Sequence, residues 1–146
     1  RYDRRYSFLA LLALFHDILI VCGVFAWLGY YLNVEVDSLF AVSLLTIAGY
    51  SVNNTVVVFD RIREKSKLEN QLSFKYQIDK AVGATLTRTL YTSLTTLLPL
   101  ICILIWGGST LYWFAFALLI GVIAGSWSSI ALAPSLLSIT SNKEFD

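Results

Sequence analysis

The chain has 146 residues, of which 57% are apolar and 14% charged, and its mean hydropathy is +0.68. Water-soluble domains run at about 45–50% apolar and about 25% charged, so this composition excludes an ordinary soluble globular domain. The formal net charge of +1 says little by itself; where the cations stand says more, and no nucleic-acid partner is expected.

Apolar runs cover roughly residues 7–32, 39–59, 86–106 and 111–139. Crossing the hydrocarbon core takes about 20 residues, and each run has that length. The fold class expected is therefore all-α: a polytopic bundle of spanning helices over about 6–32, 38–60, 85–106 and 111–139, a single transmembrane domain over 1–146 with a cytoplasmic loop at 61–84. Arg1, Arg4 and Arg5 precede the first run. Arg61, Arg63, Lys65, Lys67, Lys75, Lys80 and Arg88 lie between the second and third runs or just inside the third, and Lys143 follows the fourth. The connections at 33–38 and 107–110 carry no Lys or Arg, and the first carries Glu35 and Asp37. The positive-inside rule then puts both termini and the 61–84 loop in the cytoplasm. The Arg-Tyr-Asp-Arg-Arg-Tyr start, with no Met anywhere in the chain, reads as the cytosolic end of a preceding helix and not as a signal peptide.

In chain order, the first helix is interrupted chemically by His16-Asp17 near its middle. Asp37 or Ser38 caps the second helix, which places Thr46, Asn53 and Asp60 at heptad steps near one face. Phe74, Ile78 and Val82 recur every fourth residue, with Ser73 as N-cap. This predicts a short amphipathic cytoplasmic helix, lying on the membrane surface or packed on the end of the bundle. The third helix carries a polar stripe of Thr85, Arg88, Thr89, Thr92 and Thr96, and at Pro99, which cannot donate to the Thr95 carbonyl, a kink or a local water contact is expected. The fourth has a small residue at every fourth position, Ala117, Gly121, Gly125, Ser129 and Ala133, which lets a neighbouring helix approach closely. Cys22 and Cys102 lack metal-ligand spacing and read as buried thiols. No metal site and no cofactor are expected.

The segment 49–64, Gly-Tyr-Ser-Val-Asn-Asn-Thr-Val-Val-Val-Phe-Asp-Arg-Ile-Arg-Glu, sets two carboxamides inside an apolar run that ends in cations. Polar side chains at membrane depth are costly, and they face a bundle interior, a partner or a transport path. The sharpest constellation is Arg88 with Asn53 and Asn54, which antiparallel packing would bring to the same cytoplasmic half. Arg88 then needs an anion or carbonyl acceptors, or else its guanidinium snorkels to the headgroups of membrane lipid. Asp17 either takes part in ion movement or anchors helices by accepting hydrogen bonds. Asn53 and Asn54 either line the same cavity or act as interhelical glue; neither amide can carry a proton. His16, Tyr50, Thr89, Thr92 and Asp60 complete the candidate polar lining, with Gly121, Gly125 and Ser129 as the packing face.

Several blocks together resemble the SecF family of the bacterial Sec protein-export machinery: Ala13-Leu14-Phe15-His16-Asp17, the 49–64 segment, Thr87-Arg88-Thr89-Leu90 with Thr92-Ser93-Leu94-Thr95-Thr96, Gly107-Gly108, and 119–125 with Ser128-Ser129. They fall in the family's order across nearly the whole chain. The resemblance implies the last four of six spanning helices of a resistance-nodulation-division-type half. It also implies a non-enzymatic subunit working with SecD, the Sec translocon channel and an exported unfolded polypeptide. Such a subunit would couple a proton (or sodium) gradient to late steps of export in a bacterial plasma membrane or a thylakoid-type one. The family's coupling Arg corresponds to Arg88, and its intramembrane Asp falls on position 54, where this chain has Asn54. That departure leaves a natural variant relying on Asp17 and SecD, a subunit that has lost coupling, or an engineered substitution. Two other functional readings stand beside it: a purely structural membrane subunit, and an RND-type small-molecule exporter.

Overall fold

In a computed structural model the chain is all helical over the described residues, 4–68 and 73–142. The helices are α1 (Arg4–Leu32), α2 (Ser38–Leu68), α3 (Phe74–Trp106) and α4 (Gly108–Trp127); α4 continues through a π-helical turn (Ser128–Leu132) into α5 (Ala133–Asn142). Four stretches are long and apolar enough to cross a membrane: Arg4–Leu32, Ser38–Leu68, Phe74–Trp106 and Gly108–Thr140. Arg1, Lys143 and residues 69–72, which the sequence reading used for its topology and loop, lie outside the described residues.

The helix ends follow local chemistry. Asp37 Oδ1 accepts the backbone N–H of Phe40 at 3.0 Å, an N-cap that satisfies one of the donors left free in the first turn of α2. Asn33 takes a left-handed conformation, φ 51°, which Asn tolerates better than most residues, and the chain turns there. Gly108, at φ +75°, makes the turn between α3 and α4, a backbone shape that favours glycine.

Several expectations change. The expected 61–84 loop is mostly helix: α2 runs on to Leu68 and α3 begins at Phe74. The amphipathic segment is thus the first turns of α3 and not a separate element. Its apolar stripe settles the choice left open, because Ile78 is 4% exposed and Phe74 and Val82 pack with it on the bundle end. Ser73 occupies the cap position but its hydroxyl makes no cap bond; the Ser73 carbonyl instead accepts the N–H of Gln77 at 3.1 Å. Pro99 lies inside α3 without ending it. The cysteines are not buried in the bundle, since Cys22 is half-buried and Cys102 exposed.

α2 and α4 form the middle of the bundle, packed on each other, and each also packs on α1 and α3, which flank them. Apolar burial falls into two separate cores. One, at the cation-rich end, joins Leu9, Ala13, Val58, Phe59, Ile62, Ile78 and Ala81 to Ala133 and Leu137 of α5. The other, toward the opposite end, joins Val21, Phe25, Ile47, Leu100, Ala115, Leu118 and Val122. The far end also exposes Trp27, Tyr30, Tyr31, Trp106 and Tyr112, aromatic rings of the kind that gather where a membrane meets water.

Candidate functional site

The two apolar cores are separated by a polar layer at mid-bundle. In every helix the break falls at the corresponding depth. Asp17 lies between Ala13 and Val21; Ser51, Asn54 and Thr55 between Ile47 and Val58; Thr85, Thr89 and Ser93 between Ala81 and Leu100; Ser128 and Ser129 between Val122 and Ala133. A hydroxyl or carboxylate withdrawn from water costs free energy unless it is hydrogen-bonded, so the partners of each decide what the layer is.

Asp17 is the centre of one half. Its side chain is 0% exposed. Oδ2 accepts the Ser51 hydroxyl from α2 at 2.5 Å and the Ser128 hydroxyl from the π turn at 2.8 Å. Oδ1 lies 3.1 Å from Nδ1 of the neighbouring His16, which is 39% exposed. The carboxylate thus ties α1, α2 and the π turn together. Gly125 makes room for it: a Cβ there would stand 3.6 Å from Asp17 Oδ2 and 3.4 Å from Ser51 Cβ. Gly121 is tighter, since a Cβ at that position would collide with the side chain of Ile47. At these two glycines the small-residue face lets α4 pack closely on α2, and it is also what lets α4 reach the carboxylate. Ser129, the third member of that face, is buried and donates to the Ser126 carbonyl at 3.0 Å.

A second set of hydroxyls links α2, α3 and α4. Tyr50 Oη lies 3.2 Å from Ser93 Oγ, and Ser93 Oγ lies 2.5 Å from Ser126 Oγ. Both serines also reach carbonyls one turn back, Thr89 O and Val122 O, each at 2.7 Å. One turn further along α2, Asn54 is 9% exposed and Thr55 0%. Asn54 Nδ2 and Thr55 Oγ1 are buried without a hydrogen-bond partner among the described residues.

Arg88 stands apart from both sets. It is exposed, and it lines a groove of about 320 Å³ with Val57, Asp60, Arg61, Glu64, Ala84 and Thr85. Arg61 is paired with Glu64 at 2.5 Å, whereas neither Arg88 nor Asp60 forms an ion pair among the described residues. Asn53 is also exposed, on a face of α2 with Leu45, Ala48, Gly49, Val52 and Val56. The common cavity expected for Arg88, Asp17, Asn53 and Asn54 is thus not formed within this chain. The reason is architectural: α1 and α3 lie on opposite flanks of the α2–α4 pair, so Asp17 and Arg88 have that pair between them. Asn53 and Asn54 diverge because neighbouring helical residues point about 100° apart.

The threonine stripe of α3 also divides. Thr85 and Thr89 are buried, Thr92 is exposed, and their hydroxyls donate to carbonyls three or four residues earlier at 3.0–3.2 Å. Such back-bonding satisfies the hydroxyls within the helix. Ser51, Ser93, Ser126 and Ser128 are not among the site residues expected from the sequence. Their signal was available for Ser128, which adjoins the small-residue stripe and lies about as far from its helix end as Asp17 does from its own.

These features define a class: a polytopic helical membrane protein whose apolar bundle is divided by a buried, carboxylate-centred polar layer. The family model described as "Protein export membrane protein SecD/SecF, C-terminal" matches residues 1–143. The Protein translocase subunit SecF of Prochlorococcus marinus is 70% identical over 139 residues, covering 95% of this chain and 43% of that protein. The Protein translocase subunit SecDF of Thermus thermophilus is 41% identical over 143 residues, 98% of this chain and 19% of that one. Among solved structures, the crystal structure of SecDF in super-membrane-facing form superposes with a TM-score of 0.92 at 40% identity, over 99% of this chain and 19% of that chain. This chain belongs to the SecD/SecF protein-export membrane protein family, and it spans 43% of the length of the SecF relative it matches at 70% identity.

Proposed function

We propose that this chain is the membrane bundle of a SecF-type auxiliary subunit of the Sec protein translocase, coupling a proton (or sodium) gradient, together with SecD, to late steps of protein export. The observation that carries the coupling is Asp17, a carboxylate with no exposure held between helices by hydroxyls. Intramembrane acids are expensive and mark ion paths or helix interfaces. Asp17 is built into the polar layer at the meeting of the two cores, where a change in what the carboxylate binds alters the packing of three elements at once.

Arg88 is the partner-facing member of the relay. Its open groove, beside an Asp60 that forms no ion pair among the described residues, and the exposed Asn53 on the outward side of α2, are polar surfaces at or near hydrocarbon depth. SecD, the Sec channel and the exported unfolded chain are the partners this reading requires, in a bacterial plasma membrane or thylakoid-type membrane. The excess of Lys and Arg at the Arg4 end supports a cytoplasmic position for both ends of this stretch. The reading involves no enzymatic step and no cofactor.

A second reading has specific support: a structural subunit without ion coupling. Asn54 stands where the family resemblance calls for an acid, and Arg88 meets no buried acid among the described residues. Export assayed in proteoliposomes with and without an imposed proton gradient separates the two. Asp17→Asn and Arg88→Ala are each expected to reduce the gradient-dependent part of export. Full gradient dependence in both variants refutes coupling through this chain and leaves the structural role.

A further inference from the structure

The π turn at Ser128–Leu132 is the one departure from α-helical winding among the described helices, and its cause can be worked out. A stripe stepping by four residues outruns a helix of 3.6 residues per turn by about 40° each step. The stripe from Ala117 to Ala133 takes four such steps, a swing of about 160° around a straight α-helix. Ala133 and Leu137 would then leave the side that Ala117 and Gly121 occupy. A π turn takes up about one extra residue, close to 100° of winding. With it, the N–H of Ala133 bonds the Ser128 carbonyl five residues back, and Ala133 and Leu137 are 0% and 3% exposed in the core at the cation-rich end. The same turn holds Ser128 Oγ at 2.8 Å from Asp17 Oδ2.

The two effects share one element, so they are coupled. We propose that Ser128 is a positioning residue for Asp17, and that the π turn is a two-register device whose π register is held by the Ser128–Asp17 hydrogen bond. Withdrawal of that bond lets the turn relax to α winding and rotates α5 about its axis. This rests on the ion-coupling reading of Asp17 for its role in export, though the mechanical claim stands on the geometry alone. Asp17 Oδ2 has another donor in Ser51, but α2 has no π turn, so loss of the Ser51 bond leaves the winding of α5 untouched. A segment of Gly125, Ser126, Ser128 and Ser129 ahead of Pro134 suits such a switch. Ser128 has an alternative acceptor in the Gly125 carbonyl at 3.2 Å, and Pro134 has no N–H to hold a carbonyl of the turn. The rotation would be felt in the groove of about 240 Å³ between the start of α3 and α5, which Lys75, Ile78, Pro134 and Ser138 help to line.

The test measures a distance between α3 and α5 in the full-length chain assembled with its SecD partner in lipid. Spin labels are attached at Lys75→Cys and Ser138→Cys after Cys22→Ala and Cys102→Ala. At a side-chain radius of about 5 Å, a rotation of about 100° moves a label by roughly 8 Å. The parent chain and Ser128→Thr, which keeps a hydroxyl, are expected to show one dominant distance. Ser128→Ala is expected to populate a second, several ångströms away, while Ser51→Ala keeps the first. Identical distributions for Ser128→Ala and the parent, or equal shifts for Ser51→Ala and Ser128→Ala, overturn the proposal. A second measurement needs no variant at position 128: amide hydrogen exchange of the unsubstituted chain. Residues 129–133 are expected to exchange faster than the flanking turns of α4 and α5, and equal protection overturns the two-register device. Neither readout uses a gradient. If the distances behave as expected while Asp17→Asn exports with full gradient dependence, the coupling reading falls and the π-turn device stands. If Asp17→Asn loses gradient dependence while the distances do not move, the device alone falls.

Discussion

Gly121 and Gly125 lie one turn apart on the same stripe, so the identical substitution at each is a controlled test of how closely α4 packs on α2. At Gly121 a methyl has nowhere to go. It would overlap the side chain of Ile47, itself 0% exposed, and a β-branched side chain in a helix has essentially one χ1 rotamer available. Forcing an extra methyl into a packed core costs about 1–3 kcal/mol, against a gain of about 0.8–1 kcal/mol from replacing glycine in a helix interior. The net expectation for Gly121→Ala is a loss of about 0–2 kcal/mol. At Gly125 the same methyl meets its neighbours at 3.4–3.6 Å, ordinary contact, so the helix-propensity term dominates. Gly125→Ala is expected to be neutral or stabilising by up to about 1 kcal/mol. Reversible unfolding of the two variants in the same detergent–lipid mixture, or thermal inactivation of the assembled complex, reads the difference. Gly125→Ala adds a second readout, because its methyl sits against Asp17 Oδ2: gradient-dependent export is expected to fall while stability holds. A greater loss at Gly125 than at Gly121 would refute the packing derived from Ile47 and Ser51.

Three further outcomes are expected. Asn54→Asp returns an acid to the position where the family resemblance calls for one, beside Tyr50 on the same helix face, and should raise the proton-gradient dependence of export by SecD with this chain; unchanged proton uptake in reconstituted vesicles counts against it. Arg88→Ala should change stability by no more than about 0.5 kcal/mol, since the side chain is exposed and makes no ion pair among the described residues; a larger loss measured by unfolding would show that it holds the bundle together. Asp37→Ala removes the cap bond to Phe40 and should lower stability by about 0.5–2 kcal/mol, with faster amide exchange in the first turn of α2 as the local signature.

The membrane bundle was legible because hydrophobic length is a one-dimensional signal: each span has its run of apolar residues, and the family blocks fall on it in order. The helical ends at the cation-rich side were not legible for the same reason. Residues 61–68 and 74–84 are polar enough to read as loop, yet helix propensity and i,i+3 pairing such as Arg61–Glu64 sustain α2 and α3 beyond the apolar limits. The site was half legible. Asp17 announced itself by depth and charge, but its ligands are serines, and a serine in an apolar helix carries no mark of whether it bonds its own backbone or a neighbour. Ser43 and Thr46 bond carbonyls of their own helix; Ser51 and Ser128 reach Asp17. Only the packing order of the helices distinguishes them, and that order is also what the pairing of Arg88 with Asn53 and Asn54 lacked. The π turn has a trace in the sequence, the four-residue step that a straight α-helix cannot keep on one side.

α2 carries the argument about partners. Its polar residues point two ways: Ser51, Asn54 and Thr55 are buried toward α1, α3 and α4, while Thr46, Asn53 and Asp60, at heptad steps, are all exposed. Lipid offers an amide or a carboxylate nothing in return, so an outward stripe is costly in a subunit that works alone. It is expected in one whose second face is completed by another protein. The inward set can register what happens at Asp17, and the outward set, with Arg88 across the groove from Asp60, can register a neighbour. A helix that belongs to both layers has no slack between them, because turning it to favour one set turns the other by the same angle. For that reason an acid at position 54 and a neutral residue at position 88 are expected to interact. In a double-mutant cycle, Asn54→Asp and Arg88→Ala should be non-additive in gradient-dependent export when SecD is present. Strict additivity would mean that the inward and outward faces of α2 act independently.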